Sequence, residues 1–114
     1  MSQEPLTPAV FHILISLADG ERHGYGIMQE IAERTGRQTI MGPGTLYGSI
    51  KRMMDAGLVE EAGERRDPEA GDERRRYYRL TRRGRQAAVA ETERLAELVR
   101  AARNTRLLAH GSRG

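Results

Sequence analysis

Residues 42–58 (GPGTLYGSIKRMMDAGL) constrain this chain more tightly than any other stretch. Proline at position 43 suits the first residue of a helix, where its missing N–H has no partner to lose. Gly57 ends that helix, because glycine takes the left-handed C-cap conformation without strain. At about 100° per residue, Leu46, Ile50, Met53 and Met54 fall on one side. Tyr47, Lys51, Arg52 and Asp55 fall on the other, beside the bare backbone of Gly44 and Gly48. One side is therefore core, and the other is small, basic and aromatic. Such a face suits close approach to a polyanion, although a solvated surface helix would carry the same pattern.

The segments after Gly57 narrow the choice. Residues 58–62 (LVEEA) read as a short strand, a polar loop contains Asp67-Pro68 and Ala70-Gly71, and residues 74–80 (RRRYYRL) read as a second strand. Helix, tight glycine turn and hairpin with a long polar tip is the order of a winged helix-turn-helix. The predicted fold is mainly α with a small β-hairpin and one long C-terminal helix. Residues 1–80 would form the DNA-binding unit, and residues 81–114 a dimerisation helix with a frayed tail.

Three motifs then carry a family resemblance. They are His23-Gly24-Tyr25-Gly26-Ile27; Gly44-Thr45-Leu46-Tyr47 followed by Gly57-Leu58-Val59; and Arg76-Tyr77-Tyr78-Arg79-Leu80-Thr81 with Gly84. Each alone is weak, but their order and spacing span most of the chain. The chain resembles PadR-type transcriptional regulators, of the shorter subfamily with a single C-terminal helix. The resemblance implies a homodimer that binds an inverted-repeat operator in double-stranded DNA, most often as a repressor released by a small-molecule effector. In some members flat aromatic ligands sit between tryptophans of the dimer interface. This chain has no Trp, and Phe11 is its only Phe, so that kind of site is not expected and the effector stays unnamed.

Composition sets limits. The 114 residues fit one domain or a small domain with an appendage. With no cysteine, disulfides, thiol nucleophiles and cysteine-containing zinc sites are excluded. No apolar run approaches the ~18 residues of a membrane span, and residues 1–5 lack the pattern of a secretory signal. A cytoplasmic protein with no membrane association is the expectation. The formal charge of +3 is unevenly spread: residues 81–114 carry +5, leaving residues 1–80 at −2. Bulk charge therefore does not mark the first eighty residues as DNA-binding, and the argument rests on which face carries the cations. Lys51 is the only lysine among 19 basic residues. Arginine suits forked contacts to phosphate or guanine, and a GC-rich genome produces the same bias.

Local signals place the other elements. Thr7-Pro8 opens a first helix that Asp19-Gly20 closes. Val10, Phe11, Ile13, Leu14, Ile15 and Leu17 leave it almost no polar face, so burial on several sides is expected. A second subunit is the expected cover, through Phe11, Leu14 and Ile15. His12 reads as a structural or interface histidine rather than a ligand, having no partner at i±4. Residues 20–23 read as a turn and residues 24–34 as the second helix. Tyr25 at its start could stack on or bond a phosphate, or equally pack half-buried. Residues 37–41 read as an extended connector or a third small strand. Alternation in the last strand puts Tyr78 and Leu80 in the core, with Tyr77 and Arg79 opposite. The wing, residues 64–73, mixes both charges, and Arg74, Arg75 and Arg76 at its base are the candidates for a phosphate clamp or minor-groove contact. Thr81 caps a last helix running to about residue 108, roughly 40 Å long. Leu95, Leu98, Val99 and Ala102 form a sparse apolar seam on it, the second part of the expected dimer interface.

Catalytic chemistry is missing. Gly42-Pro43-Gly44 imitates part of a dinucleotide fingerprint, but its third glycine is displaced, proline breaks the loop and no apolar strand precedes it. His12, His23 and His110 show no metal-ligand spacing and no triad partners. No enzyme, metal or cofactor is expected. The reading is a DNA-binding regulator contacting bases and phosphates through Tyr25, Thr45, Tyr47, Lys51, Arg52 and Arg74 to Arg76. The alternative is a winged-helix module whose basic face meets an acidic protein.

Overall fold

The computed structural model describes residues 6–71 and 73–108. The tail at His110 and beyond, expected to fray, lies outside them. Four helices and a three-stranded antiparallel sheet run in the order α1 (Pro8–Ser16), β1 (Arg22–His23), α2 (Gly24–Arg34), α3 (Pro43–Asp55), β2 (Val59–Arg66), β3 (Arg74–Leu80) and α4 (Arg82–Arg103). A single 3-10 turn, Pro68–Ala70, lies between β2 and β3.

Each helix begins where the chain supplies an acceptor or a suitable backbone. The Thr7 hydroxyl accepts from Val10 N at the start of α1, with proline next in sequence. The His23 imidazole does the same for Gly26 N in α2. Gly42 precedes Pro43 at α3 without a side-chain cap, and Thr81 accepts from Gly84 N in α4. Gly57, at φ +77°, turns the chain out of α3 in the left-handed conformation that the sequence requires.

The core gathers Ile13 and Leu14 of α1 with Leu17 at its C-cap, Ile27 and Ile31 of α2, and Leu46, Ile50 and Met53 of α3. Met41, Val59 and Tyr78 close it. α1 is covered largely from within its own chain, since Ala87 and Ala88 of α4 pack against this cluster with α2 and α3. Leu14 is the clearest departure from expectation: it is 0% exposed in the single chain, so it belongs to the core and offers nothing to a second subunit. Phe11 and Ile15 stay partly exposed.

The sheet differs from expectation in two ways. Its third strand is Arg22–His23, not residues 37–41, and the order is β1-β3-β2. Arg22 pairs with Tyr78 and His23 with Tyr77. Arg22 is held in place by its Nε donating to Ser16 O at 2.7 Å. Residues 37–41 are instead tied to the end of α2, through Arg37 N to Ala32 O (2.7 Å) and Thr39 N to the Thr35 hydroxyl (3.0 Å). Secondly, β2 runs to Arg66, so much of the presumed loop is paired hairpin, with a bulge between Glu61 and Gly63.

α4 is shorter than expected. It ends at Arg103 with Asn104 as its cap, about 33 Å at 1.5 Å per residue. Thr105 then donates to Ala102 O and accepts from Leu107 N, which satisfies the helix end locally. The start of α4 is pressed onto the turn after α3. Thr81 N donates to Leu58 O (3.1 Å) and the Thr81 hydroxyl to Gly57 O (2.6 Å). A Cβ on Gly84 would stand 2.0 Å from Leu58 O, so only glycine fits there.

Candidate nucleic-acid interface

α3 presents the face that its sequence dictates. Leu46, Ile50 and Met53 are buried, whereas Thr45, Tyr47, Lys51 and Arg52 are exposed. A Cβ on Gly44 would meet nothing within 4 Å, and one on Gly48 only the Arg52 guanidinium at 3.6 Å. The backbone of the first two turns is thus open to close approach. Arg52 leans back to donate to the Ser49 hydroxyl at 3.3 Å, a contact easily exchanged for another acceptor.

Tyr47 is 46% exposed, yet its ring is not free to wander. Its hydroxyl lies where a Cβ on Gly24 would be, 2.2 Å from that ideal position. Gly24, buried at the start of α2, thereby makes room for Tyr47, and this joins the first two family motifs physically. Burial pushes the Tyr78 hydroxyl above its ordinary value, with Tyr47 adding to the effect. Tyr78 therefore stays a neutral phenol at the back of the cleft.

That cleft, about 360 Å³, separates α3 from the wing and is lined by His23, Gly24, Tyr47, Glu64, Arg74, Arg75, Arg76 and Tyr78. The triple arginine does not act on it as one unit. Strand alternation sends Arg74 and Arg76 to the side shared with Tyr78, and Arg75 to the side shared with Tyr77. Arg75 is partly buried among acids without hydrogen-bonding them: Nε lies 3.6 Å from the Asp67 carboxylate and has no hydrogen-bond partner among the described residues, Nη2 lies 3.6 Å from that of Glu73, and the guanidinium carbon 5.5 Å from the Tyr25 ring. Arg75 lines the cleft with Arg74 and Arg76 but is the most covered of the three. Tyr25 remains half exposed beside it.

Arg74 and Arg76 are more than half exposed and face acids that the arginine run alone does not reveal. Glu64 lies 3.9 Å from Arg74 and 3.8 Å from Arg76, and Glu61 lies 3.7 Å from Arg76. Exposed pairs of this length contribute little and exchange readily for a stronger anion. The register Glu64↔Arg76 becomes readable only once the hairpin is known. On the opposite side of the sheet, Arg65 stacks 3.9 Å over Tyr77 and bonds Glu21 at 2.6 Å, and Arg79 bonds Glu60 at 2.8 Å. Those cations brace the wing.

The expected dimer seam is a surface in the single chain. Leu98 is 54% and Val99 50% exposed, while Leu95 and Ala102 are partly covered. Among the described residues no group of three or more potential ligands could hold a metal ion, and no helix is long and apolar enough to cross a membrane.

Comparison with known proteins agrees with this geometry. Over 89 residues the chain is 37% identical to the transcriptional regulator Rv3488 of Mycobacterium tuberculosis, covering 78% of this chain and 77% of that protein. It is 35% identical over 86 residues, 75% of this chain, to an uncharacterised 37.1 kDa protein in transposon Tn4556 of Streptomyces fradiae, spanning only 22% of its length. The crystal structure of Bacillus subtilis PadR in complex with operator DNA superposes with a TM-score of 0.61 at 23% identity. It covers 71% of this chain and 44% of the other, and supports the fold. The model of the PadR-like family of transcriptional regulators matches residues 13–90, and the chain belongs to that family.

Proposed function

We propose that this regulator binds double-stranded DNA in a sequence-specific manner as a homodimer and represses transcription until a small molecule releases it. The observation that carries the reading is the outward side of α3, where Thr45, Tyr47, Lys51 and Arg52 stand beside open glycine backbone. α3 enters the major groove, with Tyr47, Lys51 and Arg52 at bases or phosphates. Arg74 and Arg76 reach the flanking backbone or minor groove from the wing, exchanging Glu61 and Glu64 for phosphate. Tyr25, exposed in the first turn of α2, would add a hydroxyl toward a phosphate.

Residues 1–80 serve as the reading head and residues 81–114 as the clasp. Burying Leu95, Leu98, Val99 and Ala102 against a second copy, together with Phe11 and Ile15, removes apolar side chains from water at about 1.5–3 kcal/mol for each large one. Two-fold symmetry then sets an inverted repeat with half-sites about 34 Å apart. An effector would act by binding one relative arrangement of the two heads better than the other. Dimerisation supported by exposed apolar residues of α4 is consistent with this arrangement.

The test is fluorescence anisotropy with DNA from the protein's own upstream region and a scrambled control, at two salt concentrations. A DNA reader gives a preference for its own region and a steep salt dependence. Lys51→Ala weakens all sequences and makes the log–log salt slope shallower by about one per subunit. No sequence preference and no effect of Lys51→Ala would instead favour a protein-interaction module. Sedimentation of a strictly monomeric species removes the two-fold operator from the reading.

A further inference from the structure

The outer wing has little backbone pairing to hold it. β1 pairs only with Tyr77 and Tyr78, so beyond that level β2 and β3 form a two-stranded ribbon carrying Arg74, Arg75 and Arg76. An isolated ribbon of this kind is marginal in water. Yet Asp67, at its far end, is only 8% exposed, and its Oδ2 lies 3.2 Å from Nε2 of His23. Gly63 is the residue of β2 opposite Tyr77, which pairs with His23. Asp67 is four residues further along, about 13 Å of extended strand. The contact can form only because the ribbon curls back over the start of α2. The bulge at Glu61/Gly63, with Gly63 at φ +106°, supplies that bend.

We propose that the His23–Asp67 contact is the pin that sets the wing's position relative to α3, making both positioning residues for nucleic-acid recognition. His23 is built for the task. Nδ1 accepts from Gly26 N at 3.0 Å, which leaves the proton on Nε2 to donate to Asp67. The ring also packs edge-on against Tyr77 at 5.3 Å, so it has one allowed orientation. Asp67 is held equally firmly: Oδ1 accepts from Glu69 N at 3.1 Å, and its own N–H donates to Glu73 O at 3.3 Å. The same imidazole thus caps the helix that seats Tyr47 through Gly24 and anchors the ribbon that carries Arg74 and Arg76. One ring serves both the wing and the helix that seats Tyr47, beside the Arg75–Tyr25 and Arg65–Glu21 contacts.

This inference rests on the DNA-binding reading for its affinity arm only. His23→Asn keeps a capping acceptor for Gly26 N but is too short to reach Asp67. Asp67→Ala removes the pin, together with the Oδ1 bond to Glu69 N and the Arg75 contact, without touching the cap, and Asp67→Asn keeps one oxygen, which can serve Nε2 only by turning its NH2 toward Glu69 N. Full-length protein is examined by hydrogen exchange and by anisotropy on DNA from its own upstream region. In His23→Asn and Asp67→Ala, amides of β2 and β3 beyond Gly63 should exchange faster while those of α3 keep their protection. Affinity should fall about tenfold, a weakening of a few backbone contacts. Asp67→Asn should recover part of both, and Arg74→Ala/Arg76→Ala should cost less in the unpinned background than in the parent. Unchanged ribbon exchange and unchanged affinity in Asp67→Ala would overturn the pin while leaving DNA binding intact. A parent protein with no preference for its own DNA would overturn the binding reading instead, and the exchange arm would still judge the pin.

Discussion

Gly84→Ala is the sharpest single test of the architecture, because two effects of opposite sign compete at this position. Near the start of α4 the substitution should help by up to about 1 kcal/mol, since alanine is a better helix former than glycine. Tertiary structure opposes it. The new Cβ would lie 2.0 Å from Leu58 O, a backbone atom that cannot rotate away. To restore ordinary contact, α4 and the turn after α3 must separate by more than an ångström. That strains the Thr81 N to Leu58 O bond and the 2.6 Å bond from the Thr81 hydroxyl to Gly57 O. Overpacking costs about 1–3 kcal/mol and each weakened hydrogen bond about 1 kcal/mol. After subtracting the propensity gain, a net loss of about 2–4 kcal/mol remains. For a chain of this length 1 kcal/mol corresponds to about 4 °C, so the melting temperature should drop by about 8–16 °C. The assay is calorimetry or far-UV melting at matched protein concentration, because dimerisation would make the midpoint concentration-dependent. Gly48→Ala is the control: it meets only a flexible arginine tip at 3.6 Å and should stabilise by about 0.5–1 kcal/mol. A Gly84→Ala protein that melts with or above the parent would refute the close approach of α4.

Glu64→Gln should bind DNA more tightly, by about three- to tenfold at low salt, because it loosens one ion pair to each of Arg74 and Arg76 and removes a charge that repels phosphate. Unchanged or weaker binding in anisotropy would count against the wing's role. Gly24→Ala should displace the Tyr47 ring and weaken DNA binding, and the same change in a Tyr47→Ala background should cost nothing further. Additive losses in that double-mutant cycle would show that the two positions do not interact. Stability should also fall at acid pH. Glu30 is held below the usual 4.5, first by the Arg34 hydrogen bond and then by the Ser16 hydroxyl, and Glu21 is lowered first by Arg65. With folded-state values depressed, the unfolded chain takes up protons first. The contribution is therefore present above about pH 4.5 and lost as pH falls through the folded values. Glu30→Gln should flatten that loss and cost about 1 kcal/mol at neutral pH, read from denaturant melts.

Much of the site was legible in the primary sequence because it obeys local rules. Proline and glycine at 43 and 57 bound α3, and the 3.6-residue period alone separates Leu46, Ile50 and Met53 from Tyr47, Lys51 and Arg52. The wing was harder. Three consecutive arginines look like one basic patch, but alternation divides them, and only the hairpin's register reveals that Arg75 faces Asp67 while Glu64 shadows its neighbours. His23 and Asp67 are far apart along the chain, and no local pattern links them.

Burial of α1 shows the same division. Its apolar character announced that several surfaces must cover it, yet nothing local could say whether those surfaces came from this chain or another. Leu14 went to the interior because residues of α2, α3 and the sheet, with Ala87 and Ala88 of α4, close around the cluster it belongs to. Helix bounds, caps and amphipathic faces are set by neighbours within one or two turns, so the sequence by itself determined them. Which strand completes the sheet, which arginines are spent on bracing and which leucine is interior depend on contacts between distant segments. Those were decided only when the helices and ribbon packed together, because steric fit and charge pairing act across space and not along the chain.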